Sequence, residues 1–307
     1  MGLEVVEESL VKQYSQNVLY LASQEMSKLR GTVINEQVQG EEKFWDQYGT
    51  VEMLERNVRF GDSPINITPR ESRRLTLFAF ETGEPLDSFD TVRTLNDPSS
   101  PIVRRHAEAA ARQYDRTILA ALVGNAVTGR KTPVNNALAA DHVIAVNDVS
   151  QSHESVVTGG GFDTGNIGLS VGKLLLARRV LGNADVDTGK LNIAVTESQL
   201  TDMLRQIPTT SNDYNAVKSL VNGEINSFMG YTFHKVTPNL IPVDGSGYRR
   251  VPVWTPDACV LGIGSDVKTH VAQRADKSFN WYAYMEMFIG ATRTDEDKVV
   301  EILCNEA

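Results

Sequence analysis

The segment that most constrains this chain runs from Ser100 to Asn125. Ser100 is placed as an N-cap, Pro101 takes the first helical position, and Gly124-Asn125 closes the run. The spacing predicts a helix over 101–123, a rod of roughly 35 Å at about 1.5 Å per residue. Val103, Ala107, Ala110, Tyr114, Ile118 and Ala121 form one apolar stripe, while Arg104, Arg105, Glu108, Arg112, Asp115 and Arg116 populate the other faces. The alanine-rich stripe lets the rod pack closely on whatever covers it.

At 307 residues and 41% apolar content the chain can bury a substantial core, as one elaborated domain or two intimately joined ones. Its 30 basic and 39 acidic side chains leave a net charge of -9, which argues against a protein gripping nucleic acid across its whole surface. Cys259 and Cys304 show neither metal-ligand spacing nor a disulfide framework, so both read as reduced core residues of a protein made in a reducing cytosol. The start Met1-Gly-Leu-Glu lacks the pattern of a signal peptide, and no run approaches the roughly 18 apolar residues of a membrane helix. A soluble product is expected, which makes the sequon Asn66-Ile67-Thr68 a chance match.

Apolar residues at Leu10, Tyr14, Val18, Leu21 and Leu29 predict an amphipathic helix from Glu8 to Arg30, stopped by Gly31. Its narrow stripe suits an arm lying on a partner surface. Between Phe60 and Pro98 short alternating runs such as Arg74–Phe80 are separated by turn clusters, which predicts strands in need of support from elsewhere. Further on come a glycine-rich turn at 158–162 and a helix from Gly168 to Leu181. Leu191–Val195 reads as a short buried strand, and Thr196-Glu-Ser-Gln199 as a capping box for a helix reaching Gln206. A second helix over 213–221 stops at Asn222-Gly223, followed by a strand from Tyr231 to Val236 and a hairpin-like turn over Pro242–Gly247. Ser278–Cys304 reads as two long strands joined near Asp295-Glu-Asp297, a hairpin returning to the long helix. The alternation gives an α+β class.

Chemistry is hard to place on this chain. The five histidines, His106, His142, His153, His234 and His270, show no zinc spacing, and Asp141-His142 has no serine or cysteine in a nucleophile elbow beside it. Gly159-Gly-Gly161 lacks the following Gly-Lys-Ser/Thr of a phosphate loop, and Leu261-Gly-Ile-Gly264 lacks the third glycine of a dinucleotide site. Glu41-Glu42 and Asp295-Glu-Asp297 read as solvated carboxylates. No catalytic, cofactor-binding or metal residue is assigned, and the chain reads as a non-enzyme.

Thr196 to Val236 carries the phrase Gly223-Glu-Ile-Asn-Ser-Phe-Met-Gly230-Tyr231. With Gly290-Ala-Thr-Arg293 and Val299-Val-Glu-Ile302, it resembles tailed-phage major capsid proteins of the HK97-like fold. The resemblance spans nearly the whole chain as an order of parts and is weakest over 127–190. It implies an N-terminal arm over 1–59, an extended loop over 60–98, and a peripheral domain over 99–190 with the spine helix 101–123. An axial domain over 191–257 and closing strands over 258–307 complete that order. The implied function is self-assembly into hexamers and pentamers of an icosahedral shell around double-stranded DNA, in the virion, after synthesis in the host bacterial cytoplasm.

A portal protein and a separate scaffolding protein are implied partners, since the arm is too short for a fused scaffold. Arg70, Arg73, Arg74 and Arg93 on the extended loop are candidate contacts to acidic patches of a neighbouring subunit. Residues 60–98 contain no lysine, so the loop-borne isopeptide crosslink of some family members is not expected. Two alternatives stand beside this reading: an encapsulin-type compartment shell, and a soluble α+β enzyme.

Overall fold

The computed structural model describes residues 27–49, 70–86, 101–148, 167–206, 217–221, 226–276 and 280–306, with isolated positions over 51–68 and at 223. The expected helix over 8–30, Arg93, the N-cap Ser100 and the triple-glycine turn lie largely or wholly outside them.

The described residues form three sheets, and one long helix packs on strands of the first two. The first, in order β1 (Ile34–Gln37), β12 (Cys259–Arg274), β13 (Asn280–Arg293) and β4 (Phe78–Leu86), is dominated by the long antiparallel β12–β13 pair. The second runs β7 (Val143–Ile144), β14 (Val299–Cys304), β11 (Arg249–Trp254), β8 (Leu191–Val195), β10 (Tyr231–Lys235) and β9 (Ser227–Phe228). The third is β2 (Glu42–Tyr48), β3 (Arg70–Thr76), β5 (Ala126–Thr128) and β6 (Val134–Asn136). Helices α1 (Pro101–Val123), α2 (Val171–Asn183) and α3 (Glu197–Gln206), with a helical stretch over 217–221 inside the helix expected over 213–221, give the α+β type.

Helix α1 has the predicted bounds. Ala107 is buried, and Ala110, Tyr114, Ile118, Leu119 and Leu122 are buried in one core with Leu261, Met285 and Ile289 of β12 and β13. Gly124 ends the helix for a steric reason: a Cβ there would stand 2.4 Å from the carbonyl oxygen of Ala120, to which its own N–H donates. Asp115, expected on a polar face, is buried instead. Its carboxylate accepts from the Leu29 N–H at 3.0 Å and from the Ser27 hydroxyl at 2.5 Å, pinning the incoming chain to α1. Burial raises its carboxyl above the ordinary value against the pull of those donors. Residues 29–48, placed in the arm by the sequence, are thus built into the chain's own sheets through β1 and β2.

A second core lies under the six-stranded sheet. All five residues of β8 are buried, as predicted, and α2 and α3 cover it through Leu174, Leu181, Leu200 and Met203. One half of the capping box at Thr196 is present, with the Thr196 N–H donating to Gln199 Oε1 at 2.9 Å. Glu306 adds a negative charge at this helix start, accepting from Thr196 Oγ1, Gln199 Nε2 and Arg249 Nη2 at 2.9, 3.1 and 2.7 Å. Cys259 and Cys304 are buried free thiols, each pushed up to about 12 by burial.

One expectation is corrected. Both closing strands exist, but they do not pair with each other. β13 pairs with β12 and β4, while β14 crosses to the other sheet between β11 and β7. Thr294 leaves β13 by donating its N–H to Ala258 O, and the 294–298 turn carries the chain from one sheet to the next. With β12 on one edge of β13 and β4 on the other, β13 has no edge left for β14, whereas β11 offers it six consecutive partners.

Candidate functional site

Two of the motifs singled out in the sequence, Gly290–Arg293 and Val299–Ile302, converge on the C-terminal end of α1. A helix leaves its last carbonyls without intrahelical donors, and the aligned peptide dipoles place partial negative charge there. Arg293, from Gly290-Ala-Thr-Arg293, is fully buried against this end, donating from Nη1 to Leu122 O at 2.9 Å and to Gly124 O at 2.5 Å, and from Nη2 to Asn136 O at 3.2 Å. Arg250 donates to Val123 O at 2.7 Å and forms a two-pronged pair with Glu301 of the Val-Val-Glu-Ile302 motif, both bonds 2.6 Å. Glu301 is itself buried, and its carboxylate holds the Arg250 guanidinium above its ordinary pKa. Two arginines from two different sheets therefore clamp one helix end.

The clamp reaches the candidate arginines through Glu296. Its Oε1 lies 3.0 Å from Arg73 Nη1 and 3.8 Å from Arg293 Nη2. Arg73 is only 3% exposed and also donates to Gln47 Oε1 at 3.1 Å. Glu296, read from sequence as a solvated carboxylate, thus links β3 to the spine end. Arg74, on the opposite face of β3, pairs with Glu42 of β2, and Arg70 pairs with Asp46. All three described arginines of the candidate set have carboxylate partners within the chain. The acids were hidden because β2 lies in a segment whose sequence reads as arm and turn.

Asp46 accepts from Arg70, from Ser72 Oγ at 2.7 Å and from Arg130 Nη2 at 3.0 Å. The Arg70 bond first, and then that of Ser72, draw its carboxyl from 3.8 down to about 2. A depressed native pKa contributes stability that is complete above the unfolded value and is lost as pH falls through the native one. The Asp46 contribution is therefore present above pH about 4 and gone near pH 2. Asp46→Asn should be less stable than wild type at neutral pH, and denaturant titrations should show the gap closing between those two values. A gap of constant size across that range would refute the assignment.

Two glycine sites explain the remaining motifs. Gly290 faces Gly262 across β12–β13, and a Cβ on it would lie 2.1 Å from Thr76 O. This lets the β3–β4 junction cross close above the sheet. In the Gly223–Tyr231 phrase, Met229 (φ 53°) and Gly230 (φ 83°) are both left-handed and form a two-residue turn between β9 and β10. Arg178 of α2 donates to Met229 O at 3.0 Å, and its Nη1 would lie 3.2 Å from a Cβ on Gly230. Tyr231 then donates its hydroxyl to Leu174 O at 2.6 Å, so the phrase docks the hairpin on α2.

Two of the described histidines have structural partners: His142 Nδ1 lies 3.0 Å from Val299 O, and His234, stacked on Trp254, lies 3.1 Å from Asn192 Oδ1. Among the described residues, no group of three His, Cys, Asp or Glu side chains could hold a metal ion. No helix among them is long and apolar enough to cross a membrane.

Comparison with known proteins gives the same picture. No curated protein sequence matches. Among solved structures, the chain is similar to the capsid of cyanophage P-SCSP1u, with a TM-score of 0.64 at 12% identity over 91% of this chain and 88% of that one. It is similar to the cyanophage Pam1 capsid, with a TM-score of 0.61 at 13% identity over 92% and 93%. A virus-like particle from Pyrococcus furiosus gives 0.56 at 12% identity over 95% and 98%. The compartment-shell alternative is not favoured by these findings, and the family is a structural one. Because residues 6–306 match the phage capsid protein family, the chain belongs to that family and carries the HK97-like fold of tailed-phage major capsid proteins.

Proposed function

We propose that the chain is the shell subunit of a tailed phage, assembling with itself into hexamers and pentamers that close an icosahedral capsid around double-stranded DNA. The match of residues 6–306 to the family carries this reading. On this reading the arm spans 1–59, the extended loop 60–98, the peripheral domain 99–190, the axial domain 191–257 and the closing strands 258–307, and the described part of the arm also builds the subunit's own sheets. A portal protein and a separate scaffolding protein are its further partners, and the host bacterial cytoplasm is where it is made.

Exposed apolar side chains support the subunit-contact part of the proposal. Met53, Ile65, Ile67 and Phe78 are all exposed. Large apolar side chains left in water are candidates for cover by a neighbouring subunit. Shell contacts are many and individually modest, so that errors can be corrected during closure. Among the candidate arginines, Arg73 serves the subunit's interior, while a neighbour reaches Arg70 and Arg74 by exchanging with Asp46 and Glu42.

Negative-stain electron microscopy of the protein, expressed alone and with its phage's scaffolding protein, should show capsomers, tubes or closed shells. Boiled in detergent, those particles should run as single chains, since the extended loop has no lysine. A monomer under both conditions would overturn the assembly reading, and a ladder of covalent multimers the absence of crosslinks.

A further inference from the structure

We propose that the outward face of α1 is a rail for the phosphate backbone of duplex DNA, carried by Arg104, Arg105, Arg112 and Arg116. The inference rests on the shell reading, because it takes one face of the subunit to look onto packaged DNA. All four arginines are exposed on the helix that otherwise anchors the core, and the only acid interspersed among them on the outward face is Glu108. In a chain of net charge -9 this is a local reversal of sign. From Arg104 to Arg116 the stripe runs about 18 Å along the helix axis, or about five base pairs of duplex.

The arginines are placed against local helix physics. The first turn of α1 contains no acidic residue, and Arg104 and Arg105 stand close to its positive N-terminal end. Arg112 and Arg116 are like charges one turn apart, a repelling spacing. Arg112 has Glu108 at 3.4 Å, and Arg105 lies 3.9 Å from Glu84. Arg104 and Arg116 pair with no carboxylate among the described residues. Violations of local preference concentrate where function requires them.

A polyanion answers this arrangement better than an acidic patch of a second copy does. Subunit interfaces have an apolar centre inside a polar rim. Among the described residues of α1, no large apolar side chain is exposed. Arginine-to-phosphate contacts need no such centre and read no sequence, which suits a wall that must hold any stretch of genome and release it. The acidic remainder of the subunit keeps each contact weak, and repetition over many subunits makes them count together.

The test uses full-length unassembled wild type and the variant R104Q/R105Q/R112Q/R116Q. Binding to a fluorescein-labelled 20-base-pair duplex of random sequence is read by anisotropy across a salt series. Wild type should bind with a log–log salt slope of up to about -3.6, which four neutralised phosphates give, and the variant should lose on the order of 10-fold or more in affinity and most of the slope. The variant should fold and assemble like wild type under the microscope. Equal affinity and slope in the two proteins would overturn the rail while leaving the shell reading intact. A folded variant that no longer assembles would show the stripe to be a subunit contact and would also overturn it. Failure of wild type itself to assemble would count against the shell reading instead.

Discussion

Arg293→Leu should be among the most damaging substitutions in this subunit. The guanidinium is fully buried and gives hydrogen bonds to Leu122 O, Gly124 O and Asn136 O, so leucine would remove the donor from two carbonyls at the negative end of a 23-residue helix and from one on β6. A buried acceptor left without its donor costs about 1–3 kcal/mol, and breaking a buried charged arrangement by removing one member costs about 3–5 kcal/mol. The loss should fall in that upper range. Part of it would come from Glu296, which would keep Arg73 but lose the second cation at 3.8 Å. Arg293→Lys should recover only part of the loss, because one ammonium cannot span three carbonyls as a planar fork does. Thermal unfolding of the unassembled subunit followed by circular dichroism is the measurement. At about 2–4 °C per kcal/mol for a chain of this size class, the leucine variant should melt roughly 6–20 °C below wild type. A melting point within about 2 °C of wild type would show that α1 does not depend on this clamp.

That clamp shows what the sequence could and could not reveal. The bounds of α1 were legible because Pro101 and Gly124 act through local sterics, and the capping box at Thr196 was legible for the same reason. Gly290-Ala-Thr-Arg293 and Val-Val-Glu-Ile302 could be matched as phrases, but their purpose could not be seen. Their partners lie far off in the chain: Leu122 for Arg293, and Arg250 for Glu301. Asp115 looked like a surface acid because helical periodicity specifies a face and says nothing of which segment will come to cover it. The pairing of the closing strands was misread for a related reason. Two strands joined by a short turn pair with each other by default, and only the capture of β13 between β12 and β4 shows that its edges are taken. For the candidate arginines, Arg73 and Arg74 sit on opposite faces of one strand by the period of two. Which face turns inward was decided by β2 and by Glu296.

Gly290→Ala should rival the loss of Arg293, by a different mechanism. Its added carbon would stand 2.1 Å from Thr76 O and 3.0 Å from that residue's carbonyl carbon, both backbone atoms that cannot rotate away. Thr76 ends β3, and Phe78 begins β4, which is zipped to β13 over nine residues from Ile289 to Trp281. Relief therefore requires lifting the β3–β4 junction off the sheet or slipping that register. Overpacking of this kind costs typically 1–3 kcal/mol, and the rigid neighbours put Gly290→Ala at about 3 kcal/mol or more. Gly182→Ala is the matching control, since it adds the same methyl group within helix α2 where no atom lies within 4 Å. There the unfolded chain loses freedom while the folded one meets no clash, so stability should rise by about 0.4–1 kcal/mol. Opposite signs at the two glycines, measured side by side in denaturant titrations, are the expected result. A Gly290→Ala subunit as stable as wild type would mean that the β3–β4 junction can move freely above the sheet, and that this crossing does not hold the extended segment in place.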